Sequence, residues 1–168
     1  FIDRDAILVE DGHDTLTFAR QSIPSYVPGH RLNAGTHGTM GVGVPFGIGA
    51  QAAKPDKQVV VLTGDGGFGW NGMEIDTALR HRLPILFVVC NNGSYTAHWD
   101  DGPLNPQQQL GFQRYDLMME GFGGHGEWVE NAEDIRPALE RAAASGKPAL
   151  VNVKVDPKAA SSTAMGLH

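Results

Sequence analysis

Short apolar runs rich in β-branched residues recur along the chain and alternate with stretches of helical periodicity. Three of these runs predict buried parallel strands, and a fourth stands near the N-terminus: Gln58–Thr63, Ile85–Cys90, Ala149–Val155 and Ala6–Val9. Four segments between them are predicted to be helical: Thr15–Ile23, Val42–Ala53, Met73–His81 and Glu133–Ser145. Alternating strands and helices favour right-handed βαβ crossovers. The predicted fold is therefore α/β, with a parallel sheet inside three α/β/α layers.

The pattern indicates one domain over residues 1–155, followed by a C-terminal tail at residues 156–168. Tyr95–Gly111 is a long polar segment and a candidate lid, whereas Gly121–Gly126 is predicted to be a flexible turn. Since the chain starts at Phe1 and enters a predicted strand almost at once, we expect that it is part of a longer protein.

Composition limits the classes of partner. The formal net charge is −6 over 168 residues, which argues against nucleic acid or an anionic membrane surface as the main partner. No apolar run approaches the length of a membrane span, and the single cysteine, Cys90, has no internal partner for a disulfide. Cys90 lies within an apolar run and is interpreted as a buried small hydrophobic residue. We therefore expect a cytoplasmic protein.

A glycine-rich motif follows the strand at Gln58–Thr63. Gly64-Asp65-Gly66-Gly67-Phe68-Gly69 also satisfies the dinucleotide pattern G-x-G-x-x-G, which alone is weakly specific. Asp65 places a carboxylate among glycines that would touch a pyrophosphate, and the two anions would repel each other. A divalent cation shared by Asp65 and a diphosphate removes this conflict. A P-loop is excluded because no G-K-[S/T] sequence follows the glycines.

A second polar motif lies at the end of the next predicted strand. Asn92 stands 27 residues after Asp65, a gap that spans one helix and one strand. The carboxyl ends of adjacent parallel strands open on the same crevice, so both side chains can reach one ion. Mg²⁺ takes about six oxygen ligands, and Asn92 offers one of them. Asn91-Asn92-Gly93 taken alone would indicate only a turn.

GDG followed by NN at this spacing resembles the motif of thiamine-diphosphate-dependent enzymes. Gly35–Gly41 is similar to the segment that grips the aminopyrimidine ring in the acetolactate-synthase-like branch. The resemblance implies that Mg²⁺ is bound by Asp65, Asn92 and the backbone carbonyl of Ser94. It also implies that several residues bind thiamine diphosphate: His13, Gly38, Met40, Gly64, Asp65, Gly66, Gly67, Asn92 and Ser94. The Met40 side chain would be the wedge that keeps the cofactor bent.

Within this superfamily, the segment His30–Gly43 resembles 2-hydroxyacyl-CoA lyases and oxalyl-CoA decarboxylases. Three features depart from their pattern: Asn33, His37 and the stretch Gly93–Trp99. His37 and His98 are candidates for proton relay near neutral pH, although a lone histidine is more often structural. His13 could equally lie in a plain surface loop. The departures leave the acyl substrate open.

The resemblance implies a carbon–carbon lyase that makes or breaks 2-hydroxyacyl-CoA. A glutamate that activates the cofactor belongs to a pyrimidine-binding domain, of the same or a partner subunit, and we expect a homodimer or homotetramer. One alternative is a 2-oxo acid or oxalyl-CoA decarboxylase, including the small subunit of a two-chain decarboxylase. The other is a non-catalytic module that kept the fold, against which the intact Asp65, Asn92 and Met40 argue.

Overall fold

The computed structural model describes residues 1–95, 103 and 105–161. Within these ranges six strands form one parallel sheet: β1 Ile7–Glu10, β2 Arg31–Leu32, β3 Val59–Gly64, β4 Leu86–Asn91, β5 His125–Val129 and β6 Ala149–Lys154. The strand order is β2-β1-β3-β4-β6-β5. The register pairs Glu10 with Leu62 and Gly64 with Cys90, so β1, β3 and β4 end at one edge.

Six α-helices cover the two faces of the sheet in the described ranges: α1 Asp14–Ser22, α2 Gly43–Ala53, α3 Asp65–Asn71, α4 Ile75–Arg80, α5 Tyr115–Gly121 and α6 Ala132–Ala144. One core cluster joins Val61 and Phe87 to side chains of α2, α3, α4 and α5. The other joins Val60 and Val88 to α6 and to Ile23 at the end of α1. This arrangement confirms the predicted three-layer α/β/α fold. No described helix combines the length and hydrophobicity that a transmembrane segment requires.

The predicted strands and three of the predicted helices match observed elements to within one residue at each end. Asn131 stands at the N-cap of α6, but its side chain makes no capping hydrogen bond. Gly146 follows the helix with a positive φ of 65°, which a glycine adopts without strain. The stretch predicted as Met73–His81 divides into a 3₁₀ turn at Gly72–Glu74 and α4.

Four of the described α-helices and strands were not predicted. Helix α3 begins inside the glycine-rich motif, at Asp65. The two-residue edge strand β2 and helix α5 were not predicted either. The turn predicted at Gly121–Gly126 is present but shorter, because α5 ends at Gly121 and β5 starts at His125, which leaves Phe122, Gly123 and Gly124 to form it. β5 is an edge strand of sequence HGEWV, without the β-branched run by which the central strands were recognised.

Candidate functional site

A cavity of about 770 Å³ opens where β1, β3 and β4 end. Two loops and two helix starts form its polar wall, while α1 and the tail that follows β6 form an apolar wall with Phe18, Ile23 and Val155. Eight of the nine cofactor-binding residues predicted from the sequence line this cavity: His13, Met40, Gly64, Asp65, Gly66, Gly67, Asn92 and Ser94. Parallel strand ends therefore bring together motifs that are up to 81 residues apart in sequence, from His13 to Ser94.

Asp65 is the first residue of α3 and is only 2% exposed. Its Oδ1 accepts a hydrogen bond from the Gly66 amide at 2.9 Å, and its Oδ2 accepts one from the Gly93 amide at 2.8 Å. Burial raises the pKa of this carboxyl to about 6, although the amide donors act to lower it. Within the described residues no cationic side chain forms a salt bridge with Asp65. The site therefore holds a buried carboxylate without a positive partner from the described chain.

Asn92, Gly93 and Ser94 form the turn that faces Asp65 across the strand ends. The Ser94 amide donates to Asn92 Oδ1 at 3.1 Å, which closes a tight turn around Gly93. Gly93 has a positive φ of 75°, so a side chain at this position would strain the turn. Ser94 is buried and forms an isolated antiparallel β-bridge with Gln109. This bridge connects the turn to the second half of the polar segment Tyr95–Gly111.

Asn91, the first residue of the double Asn, lies beneath the turn and does not line the cavity. Its Nδ2 donates to the Gln113 carbonyl at 3.0 Å and to Asn152 Oδ1 at 3.2 Å, and its Oδ1 accepts from Gly93. Asn152 in turn donates to the same carbonyl and to Asp116. The two asparagines of the motif thus have different functions, since Asn91 supports the turn and only Asn92 reaches the cavity.

His13 precedes α1 and lines the cavity beside Gly12, whose φ is 98°. Asp11, which the sequence analysis did not select, lies directly beneath this loop and is 2% exposed. Its carboxylate accepts hydrogen bonds from three glycine amides, and burial raises its pKa against their lowering effect. The signal that identified Asp65, an acid at the carboxyl end of a buried strand, was also present at Asp11.

Met40 lines the cavity from the segment that precedes α2. Gly38 and His37, which were predicted with it, are exposed at the end of the 3₁₀ turn Gly35–His37 and line neither described cavity. Gly38 has a positive φ of 59°, a conformation suited to the reversal after the turn. The other candidate relay, His98, lies outside the described residues, as do positions 96–102 and 104 of the candidate lid.

Two glycines of the motif, Gly66 and Gly67, are required by packing inside the protein as well as by any ligand. A Cβ at Gly66 would lie 2.9 Å from Tyr95 Cδ1, and one at Gly67 would lie 3.0 Å from Thr63 Oγ1. Either contact is closer than ordinary van der Waals packing permits. Glycine at these positions therefore lets α3 start directly against the neighbouring loops, with its first amides at the cavity.

Cys90 faces the cavity and is not the fully buried residue that the sequence suggested. Burial nevertheless raises the pKa of its thiol, with a hydrogen bond to Thr15 acting in the opposite direction. A smaller cavity of about 220 Å³ shares Asp65, Gly66, Trp70 and Tyr95 with the first. Trp70 and Tyr95 line both spaces and thus form an aromatic partition between them.

The donor groups at this site suit a hard cation and a diphosphate. Among the described residues there is no group of three or more His, Cys, Asp or Glu side chains that could hold a metal ion. A cation at Asp65 would have to complete its shell with amide or carbonyl oxygens and with ligand oxygens, as Mg²⁺ does beside phosphates. The Asn92 carboxamide lines the same cavity wall as Asp65. The residues present therefore fit a Mg²⁺–diphosphate group.

Residues 12–153 match the sequence profile of the thiamine pyrophosphate enzyme family, in its C-terminal TPP binding domain. This range contains both polar motifs, strands β2, β3, β4 and β5 in full and β6 up to Val153, whereas β1 precedes it. The chain belongs to the thiamine pyrophosphate enzymes. The predicted family is thereby confirmed, and with it thiamine diphosphate as the family's cofactor.

Curated relatives carry several different activities. The chain is 41% identical over 169 residues to a probable acetolactate synthase of Mycobacterium bovis, and the match covers 95% of the chain and 30% of that protein. It is 40% identical over 162 residues to oxalyl-CoA decarboxylase of Escherichia coli, covering 94% of the chain and 28% of the relative. It is 37% identical over 187 residues to 2-hydroxyacyl-CoA lyase of Oryza sativa, covering 99% and 32%.

Among solved structures, the chain is similar to the thiamine diphosphate-dependent 4-hydroxybenzoylformate decarboxylase of Rhodococcus jostii RHA1. The TM-score is 0.80 at 28% identity, over 92% of this chain and 30% of that one. The chain thus spans about a third or less of the length of each of these relatives. Lyase, decarboxylase and synthase relatives have similar identities, so the comparisons establish a thiamine pyrophosphate enzyme domain without separating the reactions.

Proposed function

We propose that this chain is the diphosphate- and Mg²⁺-binding domain of a thiamine-diphosphate-dependent carbon–carbon lyase. One observation carries the proposal. Asp65 is a buried carboxylate at the mouth of a strand-end cavity, and no described cationic side chain balances its charge. Burying a charge in this way is costly unless a counter-ion joins it. A divalent cation shared with a diphosphate supplies that counter-ion.

In this proposal the metal is bound by Asp65, the Asn92 side chain and the backbone carbonyl of Ser94. The diphosphate lies against the backbone at Gly64, Gly66 and Gly67, beside His13. All of these residues line the same cavity. Glycine at these positions leaves no side chain between the backbone and a diphosphate. The metal compensates Asp65, and the backbone amides bind the remaining diphosphate oxygens.

Met40 and the turn at Gly38 provide the pyrimidine end of the proposed site. The Met40 side chain projects into the cavity, where it can support a bent cofactor from below. We propose that the activating glutamate comes from a pyrimidine-binding domain in the same or a partner subunit, and that the enzyme is a cytoplasmic homodimer or homotetramer. Residues 1–155 would then be one domain of that assembly, with residues 156–168 as its tail.

For the reaction, we propose cleavage or formation of 2-hydroxyacyl-CoA. Cleavage breaks the bond between the thioester carbon and the hydroxyl-bearing carbon, giving an aldehyde or ketone and formyl-CoA. The hydroxyl loses its proton as the new carbonyl forms, and the thioester carbon gains a proton to become the formyl group, so no oxidant or reductant is needed. Thiamine diphosphate supplies an electron sink at its thiazolium carbon. This chain orients the cofactor and keeps water away through its apolar cavity wall. The similarity of His30–Gly43 to the acyl-CoA branch supports this choice.

A decarboxylase acting on oxalyl-CoA or a free 2-oxo acid is the second candidate, including a small subunit of a two-chain enzyme. Two observations favour it: the 40% identity to oxalyl-CoA decarboxylase and the fold similarity to 4-hydroxybenzoylformate decarboxylase. The aromatic partition of Trp70 and Tyr95 beside Asp65 is compatible with either substrate class. Only turnover distinguishes the two candidates.

The test uses the full-length protein that contains this chain, loaded with thiamine diphosphate and Mg²⁺. Several 2-hydroxyacyl-CoA thioesters, oxalyl-CoA, pyruvate and benzoylformate are supplied separately, and formyl-CoA, aldehyde or ketone, and carbon dioxide are measured. The Asp65→Ala protein is the matched blank. We expect formyl-CoA and an aldehyde or ketone from 2-hydroxyacyl-CoA, and none in the blank. Cleavage of free 2-oxo acids with every CoA thioester inert would replace the lyase proposal by the decarboxylase.

A further inference from the structure

A single buried carboxylate connects three segments of the cavity wall. Asp11 Oδ1 accepts hydrogen bonds from the Gly12 amide at 2.7 Å and the Gly41 amide at 3.2 Å, while Oδ2 accepts one from the Gly43 amide at 2.9 Å. Gly12 belongs to the loop that carries His13, and Gly41 directly follows Met40. One side chain thereby fixes the loop at the end of β1 relative to the turn before α2.

The third segment is the start of α3, which packs onto the same carboxylate. A Cβ at Gly67 would lie 3.2 Å from both Cγ and Oδ2 of Asp11, so the helix backbone rests against it. The turn at Gly41 is also held from its other side, because Asn71 at the end of α3 donates to the Gly41 carbonyl at 2.8 Å. Asp11 thus lies at the junction of the His13 loop, the Met40 turn and the glycine motif.

We propose that Asp11 is a positioning residue that sets the separation between the diphosphate-binding loops and Met40. The proposal rests on the placement of the cofactor given above, with its diphosphate at α3 and its bend over Met40. Only an ionised carboxylate offers acceptors on both oxygens for three amides. An asparagine would present an N–H group to one of those amides and release part of the junction. Asp11 acts through the backbone and need not touch the cofactor.

A merely structural role makes a different prediction from a positioning role. If Asp11 only stabilises the fold, its loss weakens every ligand of the site to a similar extent. If it sets the separation between the two ends of the site, a ligand that uses both ends suffers more than a ligand that uses one. Thiamine diphosphate contacts both ends, whereas inorganic pyrophosphate occupies only the diphosphate end.

The experiment measures the affinities of full-length protein for thiamine diphosphate and for inorganic pyrophosphate, each with Mg²⁺, by calorimetric titration. We expect Asp11→Asn to weaken thiamine diphosphate about tenfold more than it weakens pyrophosphate, a size typical of residues that orient ligand-binding groups. Asp116→Asn is the matched control, since Asp116 is 3% exposed and lies outside both cavities. That control should leave the ratio of the two affinities unchanged.

If Asp11→Asn does not fold, Gly43→Ala tests the positioning role instead, because it disturbs the same junction from the side of α2. Its Cβ would lie 3.0 Å from Asp11 Cβ and 3.2 Å from Oδ2, which displaces the carboxylate from its amides. We expect the same selective loss of thiamine diphosphate. Equal losses of both ligands, or unchanged thiamine diphosphate affinity, would overturn the positioning role. A wild-type protein that binds neither ligand would instead overturn the proposed function on which this inference rests.

Discussion

Two aspartates of this domain are almost equally buried, yet their surroundings differ. Asp116 at the start of α5 is 3% exposed. Both of its carboxylate oxygens accept hydrogen bonds from Arg114, and Asn152 is a further donor. Asp65 at the start of α3 is 2% exposed, and among the described residues it accepts hydrogen bonds only from backbone amides. The first acid has its counter-ion among the described residues, whereas the second has none among them.

The pKa shifts of the two carboxyl groups run in opposite directions. Burial acts to raise the pKa of Asp116, but the hydrogen bonds from Arg114 and Asn152 outweigh it and hold the pKa below its usual value. Burial raises the pKa of Asp65 to about 6, because the backbone amides that donate to it lower the pKa by less and no described cationic side chain adds to their effect. A buried acid that is neutralised locally serves the fold. A buried acid without compensation, at the wall of a cavity, indicates a site that is completed by a ligand.

The largest expected effect is that of Asp65→Ala on cofactor binding. Losing the only charged protein ligand should weaken Mg²⁺-dependent binding of thiamine diphosphate at least about 100-fold, or roughly 2.7 kcal/mol, while the fold survives. Calorimetric titration of the full-length protein measures this loss, and circular dichroism verifies the fold. Asp116→Ala is the matched control and should bind normally. Undiminished affinity in Asp65→Ala would remove the metal assignment.

A smaller effect should follow from pH. Because the folded-state pKa of Asp65 is raised, protonation of this carboxyl stabilises the metal-free fold at low pH. This stabilisation is lost as pH rises through about 6, and a bound cation would offset the loss. Conversely, proton competition should weaken Mg²⁺-dependent cofactor binding about fivefold between pH 6 and pH 5. Titrations at several pH values test this, after subtraction of the Mg²⁺–thiamine diphosphate equilibrium measured without protein. A flat profile after subtraction would contradict the account.

Replacement of Asn92 should have a more modest effect than either of these. Asn92→Ala removes one neutral oxygen, and a water molecule can occupy the vacated coordination position, so we expect a loss of about tenfold or less. Asn91→Ala serves as the comparison, because it should lower stability through the Gln113 and Asn152 contacts. If Asn92→Ala bound the cofactor as weakly as Asp65→Ala does, water substitution at that position would be disproved.

The smallest effect on binding is expected at Asp116. Asp116→Ala should lower the free energy of unfolding by about 1–3 kcal/mol at neutral pH, since it leaves Arg114 and Asn152 without their acceptor. Because the folded pKa of Asp116 is lowered, its contribution is present above the ordinary value near 3.8 and is lost as pH falls below it. Chemical unfolding at neutral and acid pH should therefore show the variant and wild type converging in acid. A difference that persists in acid would contradict this assignment.

The sequence predicted correctly those parts of the molecule in which a single hydrophobic periodicity or a single motif determines the local structure. The runs at β3, β4 and β6 are apolar because both faces of a parallel sheet are covered, and their ends could be placed to within a residue. Asp65 and Asn92 could be paired because parallel strand ends converge on one edge. The same argument placed eight of the nine predicted residues around one cavity.

The features that sequence reasoning missed depend on contacts distant in sequence. α3 begins inside a glycine-rich motif, where helix propensity is low and packing against Tyr95 and Thr63 decides the conformation. β5 is held at the sheet edge by β6, and its own residues do not carry a strand pattern. Asp11 resembles any loop acid until the fold brings Gly41 and Gly43 to it, 30 and 32 residues further along the chain.

The central claim is that the buried charge of Asp65 has no cationic side chain beside it in the described structure because Asp65 binds a metal ion together with the cofactor's diphosphate. The most direct measurement is a crystal structure of the full-length protein with thiamine diphosphate and Mn²⁺ in place of Mg²⁺, since Mn²⁺ takes the same oxygen ligands and gives an anomalous signal. The account predicts one anomalous peak about 2.0–2.3 Å from Asp65, the Asn92 side-chain oxygen and the Ser94 carbonyl, bridging to the diphosphate. A peak elsewhere, or bound cofactor with Asp65 coordinated to no cation, would contradict it.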